Sequence, residues 1–169
     1  MKLSKKEPAS PYLPKAAIVR EARQVTEKEK FFSIELPSPM DHSPGQFLML
    51  GIPGFGEAPI SISSPPSGGA LAEVCVRAVG NVTNALHRLV PGDTVWVRGP
   101  FGRGFPVDKM IGKDMLFIAG GIGLVPMRSL IKSVLAKRDS FGRLTLLYGV
   151  KTPHEILFKD EFKDWTKKG

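Results

Sequence analysis

The chain has 169 residues, 42% hydrophobic and 24% charged, a balance typical of soluble globular domains rather than disordered chains. No apolar run approaches the roughly 20 residues that a membrane span needs, and no apolar stretch follows the N-terminal lysines as in a secretory signal. A single cysteine, Cys75, excludes an internal disulfide and a structural zinc site held by cysteines of this chain. These features predict a cytoplasmic protein without a membrane span.

The net charge of +8 has two interpretations. A basic face is typical of nucleic-acid binding, but the lysines are spread along the chain and no arginine-rich run or aromatic–basic alternation occurs. The same charge suits nucleotide phosphates or an acidic partner protein. We therefore expect no nucleic-acid partner.

The first two-thirds of the chain have the pattern of antiparallel β-structure. Residues 1–15 are punctuated by prolines and predict a solvated arm. After them, short β-branched and aromatic segments alternate with turns rich in proline and glycine, and one short helix is predicted near Thr83–Leu89. The predicted strands are Ala16–Val19, Phe31–Leu36, Phe47–Gly51, Ile60–Ser63, Leu71–Val79 and Thr94–Arg98. This spacing predicts a small barrel over residues 16–108.

The pattern changes where the predicted barrel ends. Met115–Ala119 and Leu144–Val150 are continuous apolar runs, as expected for strands covered on both faces. Helices are predicted over Pro126–Lys137, where the apolar residues form one stripe, and over Ile156–Trp165. This β-α-β-α order over residues 109–169 predicts the first part of a parallel doubly wound domain.

Two strands and two helices cannot cover both faces of a doubly wound sheet. We therefore expect apolar surface on both strands to be exposed unless a partner or a further segment covers it. The expected consequence is self-association or disorder in this half of the chain.

Consecutive glycines follow the first of these apolar strands in LFIAGGIGLVP, residues 116–126. Without Cβ atoms, Gly120, Gly121 and Gly123 allow a sharp turn and the close approach of a phosphate or a nicotinamide. Such glycines are equally common in purely structural turns. Taken alone, the motif leaves both interpretations open.

A second motif is RAVGNVT, residues 77–83. The strand is predicted to end at Gly80, and Thr83 is a candidate cap for the helix that follows. The backbone N–H groups of such a turn, with Arg77 beside them, suit a pyrophosphate. The alternative is a capped connector between two strands.

A third motif is APISISS, residues 58–64. Strand alternation places Ser61 and Ser63 on one face, where their hydroxyls would bond the edge of a flat heterocycle. The alternative is an exposed strand whose serines are only solvated.

Together, the order and spacing of these motifs, with GPFGRGF at 99–105, resemble the ferredoxin–NADP reductase superfamily. The resemblance runs from about residue 16 to the C-terminus and implies a six-stranded antiparallel Greek-key barrel that binds FAD, followed by a domain that binds NAD(P)H. Within the superfamily, the chain is most similar to the FAD/NAD-binding gamma subunits of cytoplasmic hydrogenases. One sulfite reductase subunit and the electron-transfer subunit of dihydroorotate dehydrogenase look similar too. The segments that suggest this branch are PYLP at 11–14, PGQF at 44–47, APISIS at 58–63 and VGNVT at 79–83.

The resemblance implies roles for residues at matching positions. Ser61 would lie at the flavin N5 edge as the one catalytic side chain, Ile60 would pack on the isoalloxazine, and Gly80–Thr83 would hold the pyrophosphate. The residues expected to bind FAD are Pro59, Ile60, Ser61, Ile62, Arg77, Val79, Gly80, Asn81, Val82 and Thr83. Those expected to bind NAD(P)H are Gly120, Gly121, Gly123, Pro126, Tyr148 and Gly149, with Tyr148 and Gly149 at the nicotinamide cleft.

The chain departs from the family pattern in two ways. Ala58 replaces the arginine that meets the flavin phosphates, so Arg77 and the turn near Thr83 would carry that charge, and this turn favours FAD over FMN. The family's cysteine-glycine-proline turn and the hydrogenase-type cysteine-rich segment have no counterpart in these 169 residues. An iron–sulfur cluster is therefore expected only in a further segment or in a partner.

No metal site is expected in this chain. His42, His87 and His154 lack the spacing of metal ligands, and Cys75 lies within a strand as a core or cleft residue.

The resemblance implies a flavin-dependent NAD(P)H oxidoreductase subunit. It would pass a hydride between nicotinamide and FAD, and single electrons to iron–sulfur, hydrogenase or reductase subunits. The alternative is a flavin-holding assembly module without its own NAD(P)H turnover. The choice between NADH and NADPH, the direction of electron flow and the oligomeric state stay open.

Overall fold

The first half of the molecule is a six-stranded antiparallel barrel. A computed structural model describes residue 10 and residues 12–168, so most of the expected N-terminal arm lies outside the described residues. The strands are β1 Lys15–Gln24, β2 Glu29–Glu35, β3 Phe47–Ile52, β4 Gly56–Ser61, β5 Leu71–Arg77 and β6 Thr94–Phe101. They pair in the order β4-β3-β6-β1-β2-β5, which confirms the expected barrel.

The barrel interior is filled by side chains from alternate strand positions. Leu48, Ile62 and Val74 have no exposed surface, and Ile34 and Leu50 are nearly as deeply buried. Because these residues come from four parts of the sheet, the barrel has one continuous apolar core of its own.

The sheet closes through a backbone bridge between Ile62 and Val74, just beyond the end of β4. There, the Ser63 amide donates to the Glu73 carbonyl at 2.8 Å. Among the described residues, β4 and β5 themselves are the two outer strands and do not pair with each other. The first helix, α1 (Asn81–His87), packs against both of them, and we call the gap beside it the seam.

The second half begins as a parallel doubly wound domain, as expected. Strand β7 (Met115–Gly120) leads through a tight turn into α2 (Leu124–Leu135), and β8 (Leu144–Gly149) pairs with β7 in parallel. Helix α3 spans Phe162–Lys168. None of the helices in the described part of the chain is long and apolar enough to cross a bilayer.

Only one face of the β7–β8 sheet is covered. Phe117 and Ala119 pack toward α2, whereas Leu116, Ile118 and Leu147 on the other face are 58%, 63% and 54% exposed. The expected exposed apolar surface is therefore confirmed. Self-association through this face stays a prediction.

The end of the chain differs most from the sequence prediction. A helix over Ile156–Trp165 is wrong, because α3 begins only at Phe162. Leu157 and Phe158 are instead buried at 1% and 5% exposure, and Phe158 adopts a left-handed backbone with φ of 53°. Burial of these two side chains between the halves of the molecule outweighs the helical pattern of the segment.

Smaller differences concern where other elements begin and end. Helix α2 begins at Leu124, so Pro126 is its third residue rather than its first. The predicted strand at Ile60–Ser63 lies earlier, because β4 ends at Ser61. Strand β5 ends at Arg77, two residues before the predicted end.

A second apolar core joins the two halves. Phe31 and Cys75 from the barrel pack in one buried cluster with Phe117, Leu124 and Leu157 from the nucleotide half. The Phe31 and Phe158 rings meet edge to face at 6.5 Å. Apolar packing therefore holds the glycine turn after β7 next to the barrel.

Candidate functional site

Ser61, the expected flavin-edge residue, lies at the seam of the barrel. It is half-buried, and its hydroxyl has no hydrogen-bond partner among the residues that the structure describes. The register of the Ile62–Val74 bridge, carried back along the two strands, sets Pro59 opposite Arg77. The APISIS and RAVGNVT motifs therefore flank the same seam.

The neighbours of Ser61 do not all face the seam. Ile60 and Ile62 are 8% and 0% exposed and belong to the barrel core, so these two residues would contact a flavin mainly through their backbone. The expectation that Ser63 shares an exposed face with Ser61 is wrong, since Ser63 is completely buried. The bridge at Ile62 turns the chain inward, toward α2.

Thr83 shapes the predicted pyrophosphate turn. Gly80 is the N-cap of α1, and Thr83, the third helical residue, reaches back to it rather than capping the helix itself. The Thr83 hydroxyl accepts hydrogen bonds from the amides of Val79 (3.0 Å) and Gly80 (2.9 Å) and donates to the Gly80 carbonyl (3.1 Å). A Cβ atom added to Gly80 would meet nothing within 4 Å, so the space beside the turn is open.

Replacing Thr83 by valine is expected to lower the free energy of unfolding by about 1–2 kcal/mol, since the isosteric side chain loses all three hydrogen bonds. Urea denaturation measures the change. Thr94→Val, at an exposed strand position, is the matched control and should change stability by less than about 0.5 kcal/mol. Equal effects of the two substitutions would show that the Thr83 hydroxyl does not stabilise the turn.

Arg77 connects the seam with the glycine turn. Its Nε donates to Glu29, a carboxylate only 1% exposed that also accepts from the Thr26 hydroxyl. A Cβ added to Gly121 would lie 3.5 Å from the Arg77 guanidinium. The fixed cation therefore stands between the two predicted nucleotide sites.

The glycines of LFIAGGIGLVP form a tight turn at the carboxyl ends of the parallel strands. Gly120 pairs with Gly149 on β8, and Gly121 has φ of +49°, a conformation that other residues rarely adopt. Cβ atoms added to Gly120, Gly123 or Gly149 would meet nothing within 4 Å. The turn thus leaves open space at the edge where doubly wound sheets bind their ligands.

Tyr148 supports this turn from the covered side of the sheet. Its hydroxyl donates to the Gly121 carbonyl at 3.0 Å and accepts from the Leu157 amide at 3.4 Å. Burial raises the pKa of Tyr148, which keeps the hydroxyl protonated as a donor. The phenol therefore fixes the turn from beneath, and Gly149 is the exposed member of the expected pair.

Sequence reasoning missed two buried charges near the site, Glu29 and Arg128. Burial alone would lower the pKa of Arg128, but its hydrogen bonds to Glu161 and Glu73 outweigh that effect and raise it. The available signals were a glutamate at the start of the apolar strand EKFFSIE and an arginine on the apolar helix PMRSLI.

Burial, and secondarily the charge of Glu29, raises the pKa of the Cys75 thiol from 9.0 to about 12. Only the unfolded thiol ionises between these values, so its contribution to stability is complete below pH 9 and is lost as the pH rises toward 12. Between pH 8 and pH 10, the wild type should lose about 1 kcal/mol relative to Cys75→Ala. Urea denaturation of both proteins at the two pH values measures this difference. An unchanged difference would contradict the burial of the thiol.

The residues at the seam fit a flavin dinucleotide. The Ser61 hydroxyl is free to donate, Arg77 offers positive charge, and the absence of a Cβ at Gly80 leaves room beside the turn. The first intrahelical bond of α1 joins the Asn84 amide to the Gly80 carbonyl at 2.9 Å, so the preceding N–H groups lack intrahelical acceptors.

Two family models match the chain. Residues 16–105 match the oxidoreductase FAD-binding domain, and residues 117–169 match the oxidoreductase NAD-binding domain. The first match alone spans more than half of the 169 residues and contains the whole seam.

Curated relatives have the same order of domains. Sulfhydrogenase 1 subunit gamma of Pyrococcus furiosus is 42% identical over 159 residues, which are 91% of this chain and 54% of that protein. The probable electron transfer subunit of dihydroorotate dehydrogenase B (NAD(+)) of the same organism is 36% identical over 147 residues, covering 87% of this chain and 53% of that protein. The chain thus spans about half the length of these relatives.

Solved structures share the fold. A cytochrome P450 reductase from Amycolatopsis aligns with a TM-score of 0.81 at 26% identity, over 92% of this chain and 49% of that one. A ferredoxin NADP+ reductase from Neisseria gonorrhoeae, solved with bound FAD and NADP, aligns with a TM-score of 0.77 at 22% identity, over 89% and 63%. The chain therefore belongs to the FAD- and NAD-binding oxidoreductases with the ferredoxin–NADP reductase-like fold.

Proposed function

We propose that this chain is the flavin- and nicotinamide-binding part of an NAD(P)H oxidoreductase subunit. It would carry out hydride transfer between nicotinamide and FAD and pass single electrons to an iron–sulfur partner. The observation that carries the proposal is the position of Arg77, which links the seam beside Ser61 to the glycine turn at Gly121.

Each predicted site residue has a defined task in this proposal. The Ser61 hydroxyl donates a hydrogen bond at the flavin edge, and the turn from Gly80 to Thr83 holds the pyrophosphate. Arg77 balances phosphate charge in place of the arginine that Ala58 replaces. Bound FAD supplies the hydride acceptor and connects two-electron with one-electron chemistry.

The nucleotide half orients the second ligand. Gly120 and Gly121 allow its close approach, Gly123 and Pro126 begin α2, and Tyr148 keeps the turn from moving. No side-chain acid or base is required, because hydride transfer depends on how the two rings are held.

The partner belongs to the proposal as well. Both curated relatives are named as subunits, which supports assembly with other chains, and we propose hydrogenase or reductase subunits. The iron–sulfur cluster would be held by that partner or by a further segment. A cytoplasmic location agrees with this assignment.

Anaerobic reduction tests the proposal. The chain is loaded with FAD, and NADH or NADPH is added while the flavin absorbance is followed. Bleaching by one nucleotide, and its loss in Ser61→Ala by about tenfold in rate, is the expected result, since one hydrogen bond is worth about 1 kcal/mol or somewhat more. A flavin-loaded chain that neither nucleotide bleaches would favour the flavin-holding module instead.

A further inference from the structure

Arg128, on α2, connects the two halves of the molecule through a buried polar cluster. The residue is 3% exposed. Its Nη1 donates to Glu73 on β5 and, at 3.2 Å, to the Ser63 carbonyl, while its Nε and Nη2 form a fork with Glu161 at 2.6–3.0 Å. We call Arg128, Glu73, Ser63 and Glu161 the interdomain cluster.

A second hydrogen bond lies directly beside the interdomain cluster. The Ser129 hydroxyl donates to the Ser64 carbonyl at 2.6 Å. Consecutive residues of α2 are thus tied to consecutive residues after β4. Because two neighbouring attachments fix rotation as well as distance, α2 cannot turn about a single contact.

The cluster lies midway between the two predicted ligand sites. Ser63 follows Ser61 by two residues, on the other side of the bridge that closes the barrel. Arg128 follows Gly123 by five residues along α2, which corresponds to about 7.5 Å of helix. A shift of Arg128 relative to Ser63 would therefore move the glycine turn relative to the flavin strand.

Stability alone does not account for an arginine here. A buried ion pair is often no more stabilising than apolar side chains of the same volume, and the rings of Phe31 and Phe158 already surround the guanidinium. The planar guanidinium instead supplies direction, because it bonds a carboxylate on each side at a fixed angle. That property suits a joint whose geometry matters.

We propose that Arg128 is a positioning residue for hydride transfer: through Ser63 and Glu73 it sets the distance and rotation of the nicotinamide turn relative to the flavin strand. The inference rests on the proposed function for its catalytic consequence. Its structural part, a fixed interdomain geometry, does not require any ligand.

Spin-label distances test the structural part in the whole chain. Labels are attached at Thr94→Cys on the barrel and Lys137→Cys after α2, both exposed, in a Cys75→Ala background. Pulsed EPR should give one narrow distance distribution, which Arg128→Met broadens at least about twofold. Arg98→Met removes the arginine of a surface pair with Glu57 within the barrel and should leave the distribution unchanged.

Two further measurements keep the proposal open to contradiction. If Arg128→Met fails to fold, Arg128→Lys retains the charge without the planar fork and should also broaden the distribution. In the FAD-loaded chain, either variant should slow flavin reduction at saturating NAD(P)H by roughly tenfold to a hundredfold, with FAD affinity changed less than threefold. An unchanged narrow distribution in the folded variants would overturn the proposal. Failure to bind FAD would instead contradict the proposed function and leave the distance result valid.

Discussion

Alanine in place of Leu48 is expected to lower the free energy of unfolding by roughly 3–5 kcal/mol, the range for leucines without exposed surface. Leu48 is 0% exposed and lies in the barrel core beside the strand that carries Ser61. The lost side chain leaves a cavity that the surrounding strands, which close into a barrel, cannot fill by moving inward. Urea denaturation followed by far-UV circular dichroism gives the value.

The matched control is Leu71→Ala, since Leu71 is 54% exposed at the start of β5. Its effect should stay below about 1 kcal/mol. FAD should partly restore the melting temperature of Leu48→Ala, because a ligand that binds only the folded barrel stabilises it. Similar losses for the two leucines would contradict the assignment of the barrel core.

Valine in place of Gly121 is expected to weaken binding of NAD(P)H at least about tenfold while FAD still binds. The residue has φ of +49°, where a β-branched side chain costs about 1–2 kcal/mol or more, and its Cβ would point at Arg77 from 3.5 Å. The new side chain would occupy the space between the turn and the seam. Titration of the FAD-loaded chain with each nucleotide measures the affinity.

Gly112→Val separates this effect from backbone strain. Gly112 also has positive φ, +76°, but a Cβ there would meet nothing within 4 Å, and the residue lies before β7, away from the turn. Both variants should lose similar stability, and only Gly121→Val should lose nucleotide affinity. Equal losses of affinity would remove the glycine turn from the proposed site.

Local sequence patterns predicted the architecture because each half has a regular period. Proline and glycine punctuation marks every turn of the barrel, and the apolar runs at Met115–Gly120 and Leu144–Gly149 mark the two parallel strands. The glycines at 120, 121 and 123 could be placed between strand and helix for the same reason. Their meaning as a nucleotide turn came only from the combination with the barrel motifs.

The contacts between the halves could not be predicted from such patterns. Ser63, Arg128 and Glu161 are far apart in the sequence, and a polar residue in a periodic segment has no signature of its eventual partner. Phe158 illustrates the same limit, because its burial breaks a helix that the local pattern favours. Long-range packing, rather than propensity, decides these positions.

The central claim, that the seam beside Ser61 and the Gly80–Thr83 turn holds FAD, is tested most directly by titrating the purified chain with FAD and following the quenching of flavin fluorescence. We predict saturation at one FAD per chain, with affinity lowered about tenfold in Thr83→Val and unchanged in Thr94→Val. Tighter binding of FAD than of FMN should accompany it, because only FAD carries the pyrophosphate. Absence of saturable FAD binding by the folded chain would contradict the claim.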